Sequence, residues 1–244
     1  MPVPMDLHSA FLEIAQGEGS GLLFDADLAE QQRAAVSGGA VLGINWHALP
    51  DLWFKAFDLP REELAARFPS LSLDDAGVEI NDTTFGRFYI GTRPRSDAPG
   101  SLRGVGMDWL VKHIIKPATE ASRGLFLELF YGFTLQKPHH LDTAPACFPL
   151  VAAATDFHSY TWIESPRDTF RCLMEGLTSD QKQERYFWWD IFCQNQWGSE
   201  AGDVAATFRH AMAQVQRMVL TVPNLNSPKA RQFHACFKYL DACI

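Results

Sequence analysis

Tyr186-Phe187-Trp188-Trp189-Asp190-Ile191-Phe192-Cys193 is an almost unbroken apolar run, and it constrains the fold more than any other feature of the chain. A strand with one wet face alternates apolar and polar residues. A continuous run of this kind suits a strand buried on both faces. Neighbouring strand residues point to opposite faces, so Trp188 and Trp189 each need an apolar layer to pack against. A second run, Arg217-Met218-Val219-Leu220-Thr221-Val222, follows a helical pattern over 204–216 and stops at Pro223. A third lies within 148–162. Strand and helix patterns alternating at this spacing point to an α/β parallel sheet. The expected central strands are 157–162, 187–192 and 218–222, all parallel to one another.

The first 104 residues read differently, as a mostly helical region ending in a short hairpin and a linker. Asp6 is a candidate N-cap for a helix whose Leu7, Phe11, Leu12 and Ile14 share one face. A second helical pattern over 26–36 is closed by Gly38 and Gly39. Pro60 opens a third pattern, over 60–68. The segment 40–53 mixes turn residues with large apolar ones and supports no firm assignment. Residues 78–90 suggest a hairpin and 92–103 a linker. The α/β part is then expected over 105–244. It opens on a helix over 108–121 interrupted by Pro117, followed by an apolar segment over 125–133.

Composition removes several function classes. With 244 residues, 47% of them apolar and 20% charged, the chain can bury a large core and is no disordered tail or coiled coil. A net charge of −8 supplies no field for phosphate backbones, so no nucleic-acid partner is expected. No apolar run reaches the roughly 18 residues of a membrane span. The opening Met-Pro-Val-Pro-Met-Asp lacks the basic and apolar regions of a secretory signal. Five cysteines with no CxxC pair suit reduced thiols in a cytoplasmic or other reducing compartment.

Two segments carry a resemblance. Ile115-Lys116-Pro117-Ala118-Thr119 and Thr155-Asp156-Phe157-His158-Ser159-Tyr160-Thr161-Trp162 are similar to the IKPAT segment and the following strand of protist and algal protein families. In those families the strand reads Thr-His-Phe-Val-Ser-His-Ala-Trp. Their later Tyr-Phe-Trp-Phe-Asp-Ile-Phe strand and Asn-Asn-Gln resemble the residues from Tyr186 to Gln196. The fungal heterokaryon-incompatibility domain, with Trp-Ile-Asp-Ala-Leu-Cys-Ile-Asn-Gln, is also similar. Both look like relatives of the Toll/interleukin-1-receptor fold, which implies a flavodoxin-like parallel sheet over roughly 108–244. Residues 1–107 carry no resemblance.

Active members of that class are implied to cleave NAD with a glutamate in a Trp-Cys-Leu-x-Glu-Leu helix. The matching stretch here is Ala235-Cys236-Phe237-Lys238-Tyr239-Leu240, with Tyr239 at the glutamate position. A neutral phenol gives little stabilisation to the cation that forms when nicotinamide leaves. The histidine of Ser-His-Ala-Trp falls on Tyr160, and His158 is expected to face the other way along the strand. The chain stops at Ile244, where such folds continue, so a degenerate and shortened relative is expected.

The candidate ligand contacts are Ser159, Trp162, Asp190, Asn195 and Gln196. Asp190 lies where ligands of open α/β sheets bind, outside a strand's carboxyl end, although a buried carboxylate can equally serve a turn or helix. Asn195 and Gln196 could read a ribose or an amide, or simply form a turn. Asp241 and Glu164 are alternative acids should the helix alignment shift. His139, His140 and Asp142 lack zinc-ligand spacing, so no metal is expected. Cys193 or Cys236 near His234 could form a thiol pair, yet buried cysteine is more often a small hydrophobe. Seven tryptophans suit core and interface anchors. The leading expectation is a non-catalytic subunit or adaptor without a cofactor, bound to a protein partner or to copies of itself. The alternatives are an NAD glycohydrolase or nucleotide-binding enzyme, and a thiol-dependent enzyme.

Overall fold

The computed structural model describes residues 6–17, 21–45, 111–136, 147–160, 184–197, 201–215 and 217–221, with Ala66, Thr169, Leu173 and Leu177 as single positions. Nearly all of the helical pattern over 60–68 lies outside these residues, as do the hairpin over 78–90 and the linker over 92–103.

Two helices open the chain as expected. Helix α1, Leu7–Gln16, is capped by the Asp6 carboxylate, which accepts the Ser9 N–H at 2.7 Å. Helix α2, Ala26–Ser37, is capped by Asp25, which accepts from Asp27 and Leu28. Between and after them run two strands of three residues each, β1 (Leu22–Phe24) and β2 (Leu42–Ile44). The helix expected over 108–121 begins outside the described residues, and within them it is helical from Val111 to Ala118. A wide turn over Val111–Ile115 leads into α3, Lys116–Ala118, and Thr119 ends it by donating its hydroxyl to the Ile115 carbonyl.

Among the described residues six strands follow: β3 (Phe133–Gln136), β4 (Cys147–Pro149), β5 (Val151–Ala153), β6 (Asp156–Ser159), β7 (Phe187–Trp188) and β8 (Arg217–Leu220). Residues 125–133 are only partly extended, because Phe126–Phe130 forms a tight helical turn before β3. Two sheets result. One is antiparallel, in the order β1-β3-β4; the other has the order β5-β2-β7-β6-β8.

The expected parallel core is present: β6 runs parallel to both β7 and β8. The purely parallel flavodoxin-like sheet is not. Strand β2 enters between β5 and β7 antiparallel to both, and β1 joins a separate antiparallel sheet. Apolar runs of three or four residues mark burial but carry no strand direction. Gly43 permits the close β2–β7 contact, since a Cβ there would lie 2.8 Å from the Phe187 backbone.

The apolar run from Tyr186 to Cys193 is also not one strand. It pairs only at Phe187–Trp188, then turns at Trp189 into α4, Asp190–Cys193. The two tryptophans do face opposite ways. Trp188 stacks on Phe157 at 4.9 Å and meets Phe208 of α5 (Ala201–Gln214) at 5.2 Å. Trp189 sits on the other face against His158 and Phe192.

Candidate functional site

The carboxyl ends of the three parallel strands converge. Ser159 and Tyr160 lie at the end of β6, Asp190 just past β7, and Thr221 just past β8. Beneath them lie His158 and Trp189. His158 and Tyr160 share a face, contrary to the expectation that His158 turns away. They are two residues apart, and strand side chains repeat with a period of two. Their rings lie 5.4 Å apart, and both meet Trp189 edge-on.

Asp190 is 7% exposed, and its carboxylate is engaged from within the protein. It accepts the Tyr160 hydroxyl and, at 2.8 Å, the Ile191 N–H. Burial and the neighbouring Asp190 charge hold the Tyr160 phenol well above its ordinary range. His158 has one ring nitrogen, Nε2, 3.0 Å from the Thr221 hydroxyl, while Nδ1 has no hydrogen-bond partner. The neutral tautomer that donates from Nε2 leaves only a lone pair at Nδ1, which costs less than an unpaired N–H. Desolvation pushes the imidazole down to about 3, so it stays neutral at ordinary pH.

Asn195 and Gln196 are held by the turn they belong to. Asn195 donates to the Arg123 carbonyl at 2.7 Å and accepts the Trp197 N–H at 2.8 Å. Gln196 donates to the backbone carbonyls of Asp190 and Gln194. Trp197 then donates through Nε1 to Thr119 at 2.9 Å, with the Arg123 guanidinium 3.8 Å from its ring centre. The Lys116–Thr119 segment, quoted for the family resemblance, therefore touches Trp197, the residue that follows the quoted Gln196. Ser159 is half-buried, and its carbonyl accepts the Thr221 N–H.

Trp162 lies outside the described residues. So do Asp241, Tyr239, Glu164, His139, His140, Asp142, His234, Cys172, Cys236 and Cys243. Cys193 is buried, and desolvation pushes its thiol up to about 12. A thiol held protonated at neutral pH is a poor nucleophile. Among the described residues no group of three histidines, cysteines or carboxylates could hold a metal ion.

Sequence reasoning missed one charged cluster, at the opposite end of the same strands. Asp156 is fully buried and takes both nitrogens of a bidentate Arg217, at 2.9 and 3.1 Å. Arg185 adds a contact at 3.6 Å, and the Thr155 hydroxyl a bond at 2.6 Å. The signal available was an acid opening an apolar strand, which requires a cation nearby. Comparison with known proteins finds no matching family model, curated protein or solved structure.

Proposed function

We propose that the chain is a non-catalytic α/β module, a subunit or adaptor related to nucleotide-processing folds of the Toll/interleukin-1-receptor type. One observation carries this reading: the carboxylate best placed for a ligand, Asp190, is bonded to Tyr160 and to the Ile191 N–H in a buried setting. Asn195 and Gln196 use their amides to build the adjoining turn. A group already satisfied inside the fold has little to gain from a ligand, because binding would have to break those bonds first. The presence of Tyr239 in place of a carboxylate points the same way. The module's partner is then a protein or a second copy, in a reducing compartment. No helix among the described residues is long and apolar enough to cross a membrane.

A second reading, NAD glycohydrolase or nucleotide binding, is favoured by the position of Tyr160, Asp190 and Thr221 at the carboxyl ends of parallel strands. Incubation with NAD and detection of free nicotinamide separates the two. The module reading expects no release above background from the wild type. Release that is lost in Asp190→Ala or Asp241→Asn would establish the enzyme instead.

A further inference from the structure

We infer that an open groove between α1, β1 and the start of α2 is the surface on which this module takes a partner protein, through a partner segment that combines apolar and basic residues. The inference rests on the interaction-module reading and names the partner class for it. The groove has a volume of about 860 Å³, and Leu12, Ala15, Leu23, Phe24 and Ala26 supply its apolar wall. Leu23 is 45% exposed and Phe24 39%, although large apolar side chains gain by leaving water. They open a stretch of five consecutive exposed residues, Leu23-Phe24-Asp25-Ala26-Asp27.

Charge decides the occupant. Asp27 lines the groove beside Asp25, whose carboxylate is already engaged in capping α2, and no lysine or arginine lines it among the described residues. An anionic lipid surface is repelled by such a rim. A second copy is disfavoured as well: a two-fold pairing sets the same patch against itself, acid against acid, on a chain of net charge −8. A segment with apolar residues for Leu23 and Phe24 and a lysine or arginine for Asp27 meets both features at once.

The test uses the full chain and a fluorescein-labelled peptide of alternating lysine and leucine, followed by fluorescence anisotropy. A glutamate-leucine peptide is the control. Leu23→Ser and Asp27→Lys change exposed positions, and thermal unfolding checks that each variant stays folded. Binding of the lysine-leucine peptide alone, weakened about tenfold or more by each substitution, supports the groove. Equal binding of both peptides, or affinity unchanged in both variants, overturns it. A wild-type dimer in sedimentation that Leu23→Ser dissolves also overturns it, by assigning the groove to a second copy. The nicotinamide assay is read separately: release of nicotinamide refutes the module reading whatever the peptides do, and a silent assay with no peptide binding refutes only the groove.

Discussion

Trp188 and Trp189 show how much one pair of residues can specify. Their adjacency requires two apolar layers, and the structure provides α5 on one side and the His158–Phe192 side on the other. Trp189 is fully buried and Trp188 is 3% exposed. Replacing either with alanine is expected to cost about 3–5 kcal/mol in denaturant unfolding, the usual loss for a truncated buried aromatic. A change below about 1 kcal/mol at both would mean that the strand lies at the surface. This much was legible, because alternation along a strand depends on nothing beyond the strand. The partner of Asp190 was not. That contact joins Tyr160 to a residue 30 positions away, and a single sequence carries no signal for such a pairing. The satisfied amides of Asn195 and Gln196 agree with the plainer of their two readings, turn formation.

At the scale of elements, the β6–β8 pairing carries a built-in acid sensitivity. His158 on β6 bonds Thr221 at the end of β8 and is neutral when folded, with its pKa pushed down to about 3 by burial. Unfolded, the imidazole titrates near 6.5. Because the folded value is the lower one, its contribution is fully present above 6.5 and is lost as pH falls toward 3. The slope is about 1.4 kcal/mol per pH unit, so stability should drop by about 2–3 kcal/mol between pH 6.5 and about 4.5. Unfolding curves across that range measure it, and His158→Gln should flatten the dependence. An equally steep loss in the variant would assign the effect to other groups.

Element identity was legible where a pattern was long or capped, as in α1, α2 and α5. It failed where elements were short. Strands β1 and β2 have three residues each, too few for a period to declare itself. The turn of Asp190–Cys193 into a helix was hidden because a buried helical turn and a buried strand are equally apolar.

Across the whole molecule the two sheets share one core, into which both ends of the described chain feed. A continuous run of ring contacts joins them: Trp189 to Phe192, Phe192 to Phe126, Phe126 to Phe130, Phe130 to Phe11, and Phe11 to Phe133. Gln32, 5% exposed, adds a polar tie, donating to the Val151 carbonyl at 2.6 Å and accepting the Gly132 N–H at 2.7 Å. Its replacement by alanine strands two buried backbone groups and should cost about 1–3 kcal/mol, read as a lower thermal midpoint. The central claim, that Asp190 serves the fold and not a ligand, is tested most directly by a double-mutant cycle of Tyr160→Phe and Asp190→Ala in equilibrium unfolding. A structural bond predicts that Asp190→Ala destabilises by about 1–3 kcal/mol and that the pair couples by at least about 0.5 kcal/mol. Additive effects, with Asp190→Ala neutral or stabilising as for a residue kept for a ligand at a cost in stability, would contradict it.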